Sequence, residues 1–251
     1  MAVLLLCGCG QKSETTAAAP AQAVTAPAAQ SGMARPVNTG VTPEQFGAKG
    51  DGIADDLQAL QAAMQQASAS GRPLELTAGA VYRFSSCLGL PSGLTIRGNG
   101  AVLLSDIQYP DLREDRVAVE LMKDSDDDRA HDVRLENVTF RAADSCQANY
   151  MLRVMLARNV EFVGCTFDCE PNEWGRCAAD LYGGNENIRF EGCVFRQMTS
   201  GASGGIWVRN WTDRVESRNI RFQNCEFYKS GADELLAVWG WGGAVRDVVL
   251  S

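Results

Sequence analysis

Ile188-Arg-Phe-Glu-Gly-Cys-Val-Phe195 is two short alternating runs hinged on a glycine, and the chain repeats the pattern. Val133-Arg-Leu-Glu-Asn-Val-Thr-Phe140, Val160-Glu-Phe-Val-Gly-Cys-Thr-Phe167 and Ile220-Arg-Phe-Gln-Asn-Cys-Glu-Phe227 are further copies, and another opens at Val248-Val-Leu250. Successive closing phenylalanines lie 27, 28 and 32 residues apart, a period typical of solenoids. The hinge is Asn137, Gly164, Gly192 or Asn224. Asn and Gly enter the left-handed backbone region at low cost, so each hinge marks a sharp corner between two strands. Strand, corner, strand in register predicts an all-β fold, a right-handed parallel β-helix whose coils bury their apolar side only by stacking on each other.

A third strand per coil shows between the repeats. Leu152 and Val154, Ala179 and Leu181, Ile206 and Val208, and Leu236 and Val238 alternate as inward pairs. The residues between them, Arg153, Asp180, Trp207 and Ala237, then point outward on one sheet face. Their spacings of 27, 27 and 30 follow the first ladder. Ahead of the repeats, Leu57, Leu60, Ala63 and Met64 form a helical stripe. Asp55 is placed to cap that helix and Gly71-Arg72-Pro73 to stop it. A helix at this point would lid the first coil.

Composition narrows the function. The 25 glycines favour a turn-rich β protein over a helical one. A net charge of −8 without a Lys/Arg cluster argues against a nucleic-acid partner. Nine cysteines invite a disulfide reading. Cys165, Cys193 and Cys225 share one position in successive coils and should stack as buried apolar thiols, ~4.8 Å apart. Cys169 with Cys177, and Cys87 with Cys146, are the disulfide candidates.

Residues 1–9 are an apolar start, and Leu6-Cys7-Gly8-Cys9 resembles a bacterial lipoprotein box with Cys9 as the lipidated residue. Residues 10–40 are rich in Ala, Pro, Gln, Thr and Ser and are expected to be a disordered tether. Residues 41–251 are the β-helix domain, whose last repeat is cut short at Ser251. The expected location is the bacterial cell envelope, held to a membrane through the lipid anchor only, or outside the cell.

Phe46-Gly-Ala-Lys-Gly-Asp-Gly-Ile-Ala-Asp-Asp-Leu57, the helix after it and Leu94-Thr-Ile-Arg-Gly-Asn-Gly100 resemble the N-terminal region of pectate-lyase-superfamily proteins. That group includes rhamnogalacturonase-like, epimerase-like and phage tailspike domains. The resemblance implies the parallel β-helix over about residues 43–251 and leaves lyase, hydrolase, epimerase and binding roles open. Asp51, Asp55 and Asp56 are either turn and capping residues or a metal cluster.

The outward face of the third strand suits a linear polymer. Trp207 offers a flat surface for a sugar ring, and Arg176, Arg209 and Tyr182 lie on or beside the face. Gly231-Ala-Asp-Glu-Leu-Leu-Ala-Val238 resembles the acidic turn of pectin-degrading hydrolases in the same superfamily, with Asp233 and Glu234 where those enzymes carry paired acids. Glycoside hydrolysis needs such a pair, one to protonate the leaving oxygen and one to activate water or attack. Stacking would put Asp180 and Glu234 two coils apart, roughly 10 Å. Ser203-Gly204-Gly205 replaces the strand acid those hydrolases carry one coil earlier, and their His-Gly and Arg-x-Lys motifs are missing. The only histidine, His131, sits at a coil edge beside Asp132 and is expected on the surface.

Proton abstraction next to a uronate carboxylate would instead ask for a base and a cation, with Arg153 in that role. Asp180 and Glu234 could then hold Ca²⁺ through oxygen ligands. Trp239 and Trp241 line a subsite or plug the coil end. The expected function is a carbohydrate-active protein that cleaves or modifies a polysaccharide, a uronate-containing one, as lyase, hydrolase or epimerase. The alternative is a non-catalytic β-helical glycan-binding or structural module.

Overall fold

The computed structural model describes residues 40–108, 116–122, 128–169, 175–200, 205–210, 216–229, 236–240 and 243–251. Pro43–Phe46 forms a 3-10 turn and Leu57–Ser70 the helix α1. Strands, numbered in chain order, cycle through three faces. Face I holds β2 (Leu74–Glu75), β5 (Thr95–Arg97), β8 (Ala130–Glu136), β11 (Ala157–Val163), β14 (Glu186–Glu191), β17 (Ser217–Gln223) and β20 (Val245–Leu250). Face II holds β1 (Asp51–Asp55), β3 (Val81–Phe84), β6 (Val102–Ser105), β9 (Thr139–Ala142), β12 (Thr166–Asp168), β15 (Val194–Ser200) and β18 (Glu226–Lys229). Face III holds β4 (Leu88–Gly89), β7 (Val117–Met122), β10 (Tyr150–Met155), β13 (Gly175–Tyr182), β16 (Ile206–Asn210) and β19 (Leu236–Gly240).

Every neighbour along a face is parallel and belongs to the adjacent coil, so the fold is the expected parallel β-helix. One antiparallel contact, Gly175 with Ser200 and Arg176 with Thr199, links β13 to β15 and joins faces II and III into one network. Strands β1, β4, β6 and β7 escape the repeat pattern because they are short or carry no corner motif.

The corners explain the repeat. Asn137, Gly164, Gly192 and Asn224 all have φ between 52° and 61°. At Gly164 a Cβ would lie 2.6 Å from Asn137 Oδ1, so a side chain there would have to displace that amide. Between corners, the inward residues form columns. Phe140, Phe167, Phe195 and Phe227 stack on face II at 5.0, 4.8 and 5.2 Å between centroids. Phe162, Phe190 and Phe222 stack on face I at 4.8 Å each. The two columns meet edge to face, as at Phe190 and Phe195, so one aromatic spine runs through the core.

Cys165, Cys193 and Cys225 do stack inward, each thiol donating to a carbonyl one coil back, at Leu135, Phe162 and Phe190. The disulfide expectation is corrected. Cys169 and Cys177 form no disulfide, nor do Cys87 and Cys146. The buried Cys177 thiol instead donates toward the Ala179 and Gly205 carbonyls at 3.2 Å each, so local backbone satisfies it.

Helix α1 buries Leu57, Leu60, Ala63, Met64 and Ala67 over the first coil. Its N-cap position is Asp56, one residue later than expected, because Asp55 ends β1. The Asp55 carboxylate still accepts from Leu57 N at 3.2 Å, while Asp56 accepts from Lys49 N and Gly50 N at 2.7 and 3.0 Å. Asp51 closes its own turn on Ile53 N and Ala54 N. The three aspartates therefore hold backbone, and among the described residues no cluster suited to a metal is found.

The buried Tyr82 of β3 donates its hydroxyl to Glu44 in the 3-10 turn. Burial first, and the Glu44 carboxylate next, push the Tyr82 phenol up to about 12. Burial also pushes Glu44 up, but hydrogen bonds from Tyr82, its own backbone and Thr77 outweigh it and hold it below the usual carboxylate range. A raised phenol contributes stability that is complete below its unfolded value of 10.0 and is lost as pH rises toward 12. Urea midpoints measured from pH 9 to 12 should fall more steeply for the wild type than for Tyr82→Phe. Parallel pH dependences would refute the assignment.

Among the described residues no helix is long and apolar enough to cross a membrane. The Cys9 site and the 10–39 stretch lie outside them.

Candidate functional site

Face III carries the expected outward row in register. Glu120, Arg153, Asp180, Trp207 and Ala237 sit on consecutive rungs, and Tyr182, Arg209 and Trp239 form a second row two residues along. Alternation places Leu152, Ala179, Ile206, Val154, Leu181 and Val208 inside, all fully buried. At the last rung the burial order reverses, with Ala237 4% and Val238 46% exposed.

Asp180 is at the centre and is wholly buried. Arg209 grips it with Nε on Oδ1 and Nη2 on Oδ2, both at 2.7 Å, and Arg153 Nε reaches Oδ2 at 3.2 Å. Both guanidinium residues are themselves only 8% exposed. The bidentate geometry makes a strong charge-assisted pair. Arg209 is raised well above its ordinary value. Burial opposes that rise as the largest influence, and the bonds and charge of Asp180 overcome it, with Tyr150 adding a hydrogen bond. Next to this knot, burial and then the Glu120 carboxylate push the Cys87 thiol up to about 12. Burial likewise pushes Cys177 up, with the Asp180 charge adding to it.

Aromatic rings cover the knot. The Arg209 guanidinium carbon lies 4.5 Å from the Trp207 ring centroid, 5.2 Å from Tyr182 and 5.8 Å from Tyr150, and the Arg153 carbon lies 4.8 Å from Tyr150. Tyr150 meets Trp207 edge to face at 5.7 Å, and Trp207 lies 5.4 Å from Trp239. These are cation–π contacts that fix both the arginines and the rings. Tyr150 is the residue sequence reasoning missed. It opens β10, three positions before Arg153 and opposite Cys177 in register, and the long Arg153 and Arg209 side chains reach back to its ring.

The arrangement has direct chemical consequences. Both oxygens of Asp180 accept from guanidinium groups and the side chain is wholly buried, so it faces its two arginines and not solvent. Glu234, its expected partner in holding Ca²⁺, lies outside the described residues with Asp233 and Trp241. Arg153 gives its Nε to Asp180 and is in register with Glu120. The four charges Glu120, Arg153, Asp180 and Arg209 sum to a formal zero. What it offers a ligand is a row of half-buried rings, Tyr150, Tyr182, Trp207 and Trp239, held on a rigid ionic base. Arg176 places its backbone at the start of β13, and its side chain lies outside the described residues. His131 is on the surface, with Nδ1 3.0 Å from Asp132 Oδ2, as expected.

Residues 41–241 match the family described as rhamnogalacturonase A/epimerase, pectate lyase-like. No curated protein matches the chain by sequence. Among solved structures, it is similar to PfbA, a surface adhesin of Streptococcus pneumoniae, at 17% identity and a TM-score of 0.55, covering 78% of this chain and 50% of that one. ORF18 of Geobacillus virus E2 aligns at 16% identity and a TM-score of 0.53, over 80% of this chain and 40% of that one. The catalytic unit of a GH87 α-1,3-glucanase from Streptomyces thermodiastaticus aligns at 14% identity and a TM-score of 0.50, over 87% and 42%. The chain thus spans half or less of the length of these three structures, and the likeness is one of fold.

Proposed function

The chain belongs to the rhamnogalacturonase A/epimerase, pectate lyase-like family, and from that premise we propose that it is a carbohydrate-active protein that takes a linear polysaccharide across face III. The observation that carries this reading is the aromatic row over the Arg153–Asp180–Arg209 knot. Sugar rings present flat apolar faces, and indole and phenol rings held at fixed spacing on successive coils are their natural complement. Trp207 and Trp239 would form adjacent stacking positions, with Tyr182 and Tyr150 at their side. The α-1,3-glucanase among the structural relatives is a catalytic unit on the same fold, which supports cleavage or modification of the bound chain. Because Asp180 is wholly buried between Arg153 and Arg209, the acid chemistry falls to Asp233 and Glu234, which precede β19 in sequence. A uronate-containing polymer fits the family name, and lipid attachment at Cys9 would place the protein at the cell envelope or outside the cell.

A second reading has its own support. A face with its described carboxylates buried or paired can hold a glycan without cleaving it, and the PfbA relative is an adhesin. Incubation with acidic and neutral polysaccharides, with and without Ca²⁺, and mass spectrometry of the products separates the two. Hydrated oligosaccharides are expected, and Asp233→Asn with Glu234→Gln should abolish them. Products one water lighter would move the chemistry to a lyase. Bound but uncleaved polymer would establish the binding module. In every arm Trp207→Ala should weaken polymer binding by about tenfold, the effect of losing one buried stacking ring. An unchanged affinity would remove face III from the function.

A further inference from the structure

Face I, on another side of the coil, has a depression of about 680 Å³, a size that suits a ligand of several rings. Its wall is a ladder absent from the sequence reasoning. Asp132, Asn159, Asn187 and Asn219 occupy the same position in successive coils, all with φ between 54° and 57°. Each asparagine amide donates to the residue one coil back, Asn159 to Asp132 at 2.9 Å, Asn187 to Asn159 at 3.0 Å and Asn219 to Asn187 at 2.7 Å. A left-handed backbone costs a side-chain-bearing residue energy, and the ladder repeats it coil after coil. The result is a rigid row of amides at one strand spacing, ~4.8 Å.

The floor beside that wall is a row of charges, Arg134, Glu161, Arg189 and Arg221. Arg134 pairs with Glu136 and Glu161, and Arg189 with Glu191 at 2.7 Å. Arg221 differs. Its Nε donates to Asn219 Oδ1 at 2.7 Å, and no carboxylate among the described residues pairs with it. It also lies in register with Arg189, and like charges directly opposite on neighbouring strands repel. Of the three lining arginines, Arg134 and Arg189 are matched by Glu136, Glu161 and Glu191, and Arg221 alone has no carboxylate partner among the described residues. The depression therefore combines a periodic hydrogen-bonding wall with one arginine left open to an outside anion.

We propose that this depression is a second glycan site, for an acidic polysaccharide lying along the solenoid axis. Arg221 takes a carboxylate of the sugar chain, and the Asn159–Asn187–Asn219 ladder takes its hydroxyls. A polymer is favoured over a single small anion because the wall repeats at every coil while Arg221 occurs once. The site is on a different face from the aromatic row and does not rest on the reading of face III.

Calorimetric titration of the full chain with oligogalacturonate, and with the same oligomer reduced at its carboxyl groups, tests the proposal. The acidic oligomer should bind, and the reduced one should bind about tenfold more weakly, the scale of one charge-assisted hydrogen bond. Arg221→Gln should erase that difference. Asn187→Gly, which keeps the left-handed backbone at low cost, should weaken both oligomers by a few-fold. Trp207→Ala should leave the difference between the oligomers in place, even where it removes binding at face III. Equal binding of the two oligomers, wild-type behaviour of Arg221→Gln, or no binding of oligogalacturonate would overturn the site. So would a single-stranded oligonucleotide that binds with the same dependence on Arg221. Melting curves confirm that each variant is folded before its titration is read.

Discussion

Asp180→Asn is expected to lower the stability of the fold by about 3–5 kcal/mol, the range found when one partner of a buried ion pair is removed. The substitution hardly changes shape, so the loss reports charge. Arg153 and Arg209 would stay almost fully buried with no carboxylate between them. Removing the whole knot is a different experiment. Arg153→Met with Asp180→Leu and Arg209→Met leaves no buried charge, and such replacements are often neutral or stabilising. Urea denaturation should therefore rank the triple variant well above Asp180→Asn. If Asp180→Asn unfolds at the wild-type midpoint, the knot is not the ionic base of face III, and the aromatic row loses its support.

Phe190→Ala should cost a similar amount, about 3–5 kcal/mol. Phe190 is stacked between Phe162 and Phe222 and touches Phe167 and Phe195 edge to face. Truncation removes contacts to two coils at once and leaves a cavity that neither neighbour can fill without leaving its own column. Phe190→Leu, which keeps much of the volume, should lose clearly less. Equal losses for the two would show that stacking geometry, rather than filled volume, holds the spine together.

The coil was legible because its signals are local and repeated. Corners at Asn137, Gly164, Gly192 and Asn224 announce themselves by residue type, and columns such as Phe167 over Phe195 follow from counting. The row Arg153, Asp180, Trp207 was legible for the same reason. What sequence could not give was the partnership within it. Alternation says that Asp180 points outward, but outward does not mean open to a substrate. Burial of an outward residue depends on what folds over it, and that is set by Tyr150, Arg209 and Trp207 meeting across coils. The asparagine ladder was missed although its signal is plain. Asn159, Asn187 and Asn219 each stand directly before the first residue of a repeat, at the entrance to the first strand and not at the corner between the two. Cysteine pairing failed for another reason. Spacing along the chain does not encode whether two thiols face each other, and Cys177 finds backbone carbonyls first.

The even stagger between paired strands also permits an order in time. Val160 pairs back to Val133, Ile188 to Val160 and Ile220 to Ile188, so each coil requires only the one made before it. The loop that must close is about one repeat long at every step, and its entropic cost hardly changes from coil to coil. No pairing has to wait for distant chain. Order can therefore start where α1 seals the first coil and advance toward Ser251 while later residues are still being synthesised, each finished rung serving as the template for the next.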